Sequence, residues 1–181
     1  MIETTTESTP TQREGRKMKL ETKQRSGFTL VELMIVVALI AIIATIAIPS
    51  LLRSRMAANE SSAIAAVRAI ITGEISFQSA GYKDVNADGL GDFGLLPELQ
   101  DPMGDGEQGY IDEAIATGFR QGYEFTIVTV DGGGGVPPAY TLNADPVVPG
   151  NTGMRHFFSD QSGVVRFNIG APASSDDPPM Q

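Results

Sequence analysis

Cysteine is absent from the 181-residue chain, and histidine occurs once, at His156. Without thiols there is no disulfide, no thiolate zinc site and no cysteine nucleophile, while the compartment stays open, since an exported protein can do without cysteine. A single histidine rules out a His-dependent triad or a multi-His zinc site within one subunit. Beside Phe157 in a strand-like stretch, His156 reads as a sheet position. Basic residues are scarce in the C-terminal part: from residue 81 onward four Lys/Arg face fifteen Asp/Glu, a net charge of −11, against +2 for residues 1–27 and 0 for residues 28–80. Phosphate binding needs clustered Lys/Arg, so that acidic part is not a nucleic-acid partner. Gly132–Gly135 is followed by neither Lys-Ser/Thr nor a helical pattern, so no phosphate-cradling loop is present. The carboxylates fall in loops without a cleft signature and read as a solvated acidic surface rather than an acid/base pair. Nothing in these patterns supports catalysis, and no cofactor is required.

What is present is a long apolar run. Phe28 to Ile48 is 21 residues with Glu32 as its only charge, and a helix of that length spans roughly the 30 Å of a hydrocarbon core. Six Lys/Arg precede it within the first 27 residues and only Arg53 and Arg55 follow closely. The positive-inside bias therefore places the N-terminus in the cytoplasm and the acidic part outside. No A-x-A-like exit follows the run, so it is expected to be retained as an anchor rather than removed as a secretory signal. Residues 1–17 are polar and not expected to fold, and Met18 is an alternative start that would leave the short basic leader MKLETKQRSG.

The segment Gly27-Phe28-Thr29-Leu30-Val31-Glu32, after a basic leader and before an apolar run closed by Pro49, resembles the class III signal of type IV pilins and pseudopilins. The resemblance covers about residues 25–80. It implies cleavage between Gly27 and Phe28 by a prepilin peptidase on the cytoplasmic face and N-methylation of Phe28. It further implies an inner-membrane assembly platform and polymerisation with other pilin subunits through the N-terminal helix. On the residues alone, a carboxylate well inside a bilayer costs about 2.5–3.5 kcal/mol. Two readings of Glu32 are then open. It either sits at the cytoplasmic interface and snorkels to water, or, as the resemblance implies, pairs during assembly with the cationic N-terminus of a neighbouring subunit.

Pro49 lacks an N–H and clashes with the carbonyl four residues back, so a kink is expected there. Residues 49–80 still read as an amphipathic helix, with Ile64, Val67, Ile71 and Ile75 recurring at three-to-four spacing, Ile70 and Phe77 widening the stripe, and Asn59, Glu60, Ser62 and Arg68 opposite. Gly81 ends it. Residues 81–121 form a Gly/Asp-rich loop with Leu95, Leu96 and Leu99 as core anchors and one short helix over 111–117 stopped by Gly118. Residues 122–170 carry strand patterns: Tyr123, Phe125 and Ile127 alternate, then Tyr140 and Leu142, then Val165, Phe167 and Ile169. A hairpin turn is expected at Asp160–Gly163, and Gly132–Gly135 with Pro137-Pro138 joins the first two strands. Residues 171–181 are expected to be disordered. The fold class is α+β: a long kinked helix, its first half transmembrane, packed on a small antiparallel sheet, as in pilins.

One motif points to a metal. Asp84, Asn86, Asp88 and Gly89 match the first six positions of a calcium loop, with Asp92 at the ninth. The twelfth position is Leu95, not the bidentate Glu, so Asp92, or Glu98 or Asp101 by another route, would have to complete the shell. A calcium site and a metal-free turn are both open. Three functions remain at this stage: a structural subunit of a type IV pilus-like filament, a pseudopilin of a type II secretion system, and a membrane-anchored binding protein with a calcium-type loop.

Overall fold

The computed structural model describes residues 27–106 and 109–180; the leader over 1–26 and the alternative start at Met18 lie outside the described residues. The chain divides into two compact units, one up to Ala41 and one from Ile42 on. In the first, α1 (Leu30–Ala80) begins, and Leu30, Leu33, Met34, Val37, Ala38 and Ala41 line one shallow apolar groove along it. This is the three-to-four spacing of a single helical face. α1 is long and apolar enough to cross a membrane, and no residue of its most apolar 18-residue window is buried. It continues as helix through Pro49, so the expected kink does not interrupt it.

In the second unit α1 becomes the spine of a core. Its buried residues are Glu60, Ala63, Ala66, Val67, Ile70, Ile71, Gly73, Glu74 and Phe77. The stripe thus combines large apolar residues with small ones and two glutamates, and it corrects the sequence reading in two places: Ile75 is 55% exposed, and Glu60, assigned to the wet face, is buried. Small residues let neighbouring backbone come close. A Cβ at Gly73 would meet Tyr110 Cβ at 3.2 Å and Ile111 Cγ2 at 3.3 Å, tight enough to force the connecting loop outward.

That loop contains α2 (Leu96–Gln100) and α3 (Glu113–Ala116). Leu96 and Leu99 are buried as expected, whereas Leu95 is 43% exposed. Leu95 is the residue before α2, and its N–H donates to the Glu98 carboxylate at 2.7 Å. The i, i+3 pair at 96 and 99 takes the inward face instead. Asp112 caps α3 by accepting from the Ile115 N–H at 2.8 Å. Gly118, at φ +79°, then turns the chain into the sheet, a conformation that favours glycine.

The sheet is an antiparallel meander in sequence order: β1 (Phe119–Arg120), β2 (Tyr123–Val130), β3 (Ala139–Pro146), β4 (Arg155–Asp160) and β5 (Arg166–Ile169). It starts slightly earlier than the expected residue 122. Register places Phe125 opposite Ala144 and Ile127 opposite Leu142, so the alternation seen in sequence points one face at α1. Tyr123, Tyr140, Leu142, Ala144 and Phe157 are fully buried there with Val67, Ile70 and Leu99. The Gly132–Gly135 segment joins β2 to β3, and Gly163 N–H closes the β4–β5 turn on the Asp160 carbonyl at 2.9 Å. Val165 and Phe167 pack on the core, but Ile169 is exposed.

The expected disorder of the tail is corrected over residues 171–180. Phe167 N–H donates to the Pro178 carbonyl (3.2 Å) and Met180 N–H to the Val165 carbonyl (2.8 Å), so the tail lies along β5. The Asp177 carboxylate accepts from Ser174 N–H at 2.8 Å and Asn168 Nδ2 at 2.8 Å. Ala173 is buried beside Asn143, whose Nδ2 donates to its carbonyl. An edge strand presents a row of unpaired backbone groups. A proline-rich tail, poor in donors, still supplies the carbonyls that such an edge can use.

Candidate assembly surface

At the start of α1, Gly27 and Phe28 are exposed, Phe28 at 88%. Thr29 and Glu32 form a reciprocal cap: Glu32 Oε2 accepts from Thr29 N–H and from Thr29 Oγ1, both at 2.9 Å, and Glu32 N–H donates to Thr29 Oγ1 at 3.2 Å. This is the capping box of a T-x-x-E sequence, which satisfies helix-end donors that have no intrahelical partner. Glu32 therefore has a local hydrogen-bonding role that the sequence reading missed, although Thr29, three residues upstream and ahead of an apolar run, was the signal. Gly27, Phe28, Thr29 and Glu32 line one shallow concavity. The proposed cleavage point and the carboxylate are thus neighbours, and Pro49 lies 17 positions farther along α1.

The calcium-type loop closes on itself. Asp84 accepts from Asp88 N–H (3.2 Å) and Gly89 N–H (3.0 Å), Asn86 Oδ1 from Asp88 N–H (2.9 Å), and Asp88 Oδ1 from Leu90 N–H (2.8 Å). Asp92 points elsewhere: it accepts from Val85 N–H at 2.9 Å and Gly132 N–H at 2.8 Å, and these two bonds hold its carboxyl below the ordinary carboxylate range. Among the described residues no three acidic or histidine side chains converge to hold a metal ion. In this geometry Asp84, Asn86, Asp88 and Asp92 act as loop staples, with Asp92 tying the loop to the β2–β3 connection.

Two carboxylates tie α1 to the rest of the unit, Glu60 to the start of β4 and Glu74 to the connecting loop. Glu60 accepts from Met154 N–H (2.8 Å), Arg155 N–H (3.3 Å) and Arg155 Nε (2.8 Å). Removing that acceptor strands part-buried donors, at about 1–3 kcal/mol. Glu60→Ala is expected to destabilise the C-terminal unit by about 2 kcal/mol in urea unfolding, with Glu60→Gln losing less because it still accepts from Met154. An unchanged midpoint for Glu60→Ala would contradict this role. Glu74, fully buried, accepts from Gly94 N–H at 2.9 Å through Oε2, while its Oε1, the Tyr140 hydroxyl and Ser159 Oγ have no hydrogen-bond partner among the described residues. Burial, with a smaller push from Glu98, raises its pKa to about 7. His156, the lone histidine, occupies its expected strand, with Nδ1 2.5 Å from Asp145 Oδ1.

Residues 22–48 match the family described as the prokaryotic N-terminal methylation motif. The chain is 43% identical over 72 residues, 40% of its own length, to the type IV major pilin protein PilA of Myxococcus xanthus. Over 65 residues, 36% of its length, it is 40% identical to the type IV wide pilus major component PilA4 of Thermus thermophilus. These matches span about a third of the first relative (32%) and about half of the second (47%). No solved structure matches significantly. Neither relative is named as an enzyme, and the methylation motif lies where α1 begins, as it would in a pilin. Over its N-terminal segment, the chain carries the prokaryotic N-terminal methylation motif and is similar to type IV major pilins.

Proposed function

We propose that this protein is the structural subunit of a type IV pilus-like extracellular filament. The observation that carries the reading is the apolar length of α1, which is left uncovered among the described residues. Such a surface needs lipid or other copies of itself. In the precursor, lipid surrounds it, with the N-terminus cytoplasmic and the acidic head outside; in the filament, neighbouring helices do. A prepilin peptidase cuts between Gly27 and Phe28 and Phe28 is methylated. An inner-membrane assembly platform then draws the subunit out of the bilayer. The named relatives are pilus components, which favours a pilus over a secretion pseudopilin. The closed Asp84 loop offers little to a calcium-binding tether.

Electron microscopy of sheared extracellular material, with mass measurement of the subunit's N-terminus, tests this. Fibres built of chains that begin at methylated Phe28 are the expected result. Sheared material without such fibres, or a mature chain that keeps its leader, would defeat the proposal.

A further inference from the structure

Beyond residue 48 the surface sorts its unmatched charges by element. Every cation after residue 80 is engaged within the chain: Lys83 with Asp131 at 2.9 Å, Arg120 with Asp112 at 2.7 Å, Arg155 with Glu60 at 2.8 Å, and Arg166 Nη1 with the Asp177 carbonyl at 2.7 Å. The cations with neither an ion pair nor a hydrogen bond from the side chain among the described residues are Arg53, Arg55 and Arg68, all exposed and all on α1. Exposed carboxylates with no cation beside them, namely Asp88, Glu113, Glu124 and Asp176, all lie in the head. The chain thus carries two complementary surfaces that it does not bring together itself.

We infer that Arg53 and Arg55 each dock the acidic head of a neighbouring copy of this chain. The inference rests on the filament reading above and gives the contact between head and helix a chemical basis. The two arginines precede Glu60, where the buried stripe of α1 begins, and exposed Leu51 and Leu52 adjoin them. Two residues apart on a helix they point about 200° apart, so each addresses a different neighbour. A helix patch on one copy meeting a head patch on the next is a heterologous contact, which propagates an open helical array rather than closing a dimer. The charges are exposed and screened over about 8 Å at physiological salt, so they set register and partner more than they supply adhesion.

After cleavage the chain holds one lysine, Lys83, so Arg53→Lys/Arg55→Lys introduces amines that are readily distinguished. Carbodiimide treatment of fibres from this full-length variant is expected to give covalent dimers, with peptides joining position 53 or 55 to a head carboxylate of another chain. Arg53→Gln/Arg55→Gln is expected to lower sheared fibre at least tenfold while cleaved subunit persists in the membrane, and the Lys variant to restore it. Fibre yield within twofold of the parent for the Gln variant overturns the inference and leaves the filament reading standing. Coupling confined to single chains does the same, as does fibre yield that follows anionic phospholipid content with no dimers formed. Absence of fibres from the unaltered protein overturns both.

Discussion

Glu32→Ala is expected to yield a subunit that is cut after Gly27 and held in the membrane at the parent's level, while sheared fibre falls to background, a loss of a hundredfold or more. Two effects contribute. The carboxylate caps α1 through Thr29, and loss of such a cap is worth about 1 kcal/mol. The larger effect is the charge, which in the proposed filament meets the cationic Phe28 terminus of a neighbour in a poorly solvated setting, where an unpaired partner costs several kcal/mol. The geometry separates the two. Glu32→Gln keeps an acceptor for Thr29, since glutamine serves in a capping box, yet removes the charge. Thr29→Val keeps the charge and removes the hydroxyl half of the cap. If charge governs assembly, Glu32→Gln fails almost as completely as alanine and Thr29→Val assembles. Immunoblots of sheared and membrane fractions read the outcome. Normal fibre from Glu32→Gln would assign the residue a capping role alone.

The legible parts of this molecule were those with a strong period or a strong punctuator. The apolar run from Phe28, the inward alternation of Tyr123 and Phe125 and of Tyr140 and Leu142, the hairpin at Asp160–Gly163 and the glycine stop at Gly118 all appear where the sequence places them. What was not legible involves polar groups whose partners lie far away in sequence. Glu60 and Glu74 belong to the same three-to-four series as Ala63, Val67, Ile70 and Phe77. A hydrophobicity count assigns glutamate to the wet side. Only the fold supplies Met154 and Arg155, more than ninety residues on, as partners for Glu60. The tail was misread for the same reason: its composition signals disorder, and its order comes from the open edge of β5 and the Asp177 turn. At the candidate site, Gly27, Phe28 and Glu32 were readable from a local motif, and the structure adds Thr29. The calcium reading rests on spacing alone, and the structure adds that each of these carboxylates accepts from a backbone N–H.

Glu74 offers the second large effect, and its sign follows from proton linkage. Burial raises its pKa from 4.5 to about 7 in the folded state, so the folded chain binds this proton more tightly than the unfolded chain. Stability from this group is therefore fully present below pH 4.5, declines as pH rises towards 7, and is level at its lower value above that. A shift of this size corresponds to about 3 kcal/mol across the window. The groups that bear on it are Gly94 N–H from the loop, Glu98 from α2, Lys83 after α1, and Tyr140 from β3, whose hydroxyl is itself pushed upward by burial and by Glu74. Urea unfolding of the purified chain in detergent, followed by near-ultraviolet dichroism of its four tyrosines, should give a lower unfolding free energy at pH 8 than at pH 5.5. Asp92, held ionised by its two backbone bonds, acts in the opposite sense only below its ordinary pKa of 3.8 and so leaves this window clear. Glu74→Gln should remove most of the slope and raise stability at pH 8 by about 2 kcal/mol. The amide can accept from Gly94 while presenting a donor towards the Tyr140 hydroxyl, which lacks a partner among the described residues. Equal stability of the parent at the two pH values, or a Gln variant weaker than the parent at pH 8, would mean that Glu74 is ionised in the fold and has found a compensating partner. In a filament subunit the consequence is directional: a head that leaves a neutral or alkaline environment for an acidic one gains stability as this buried carboxyl takes up its proton.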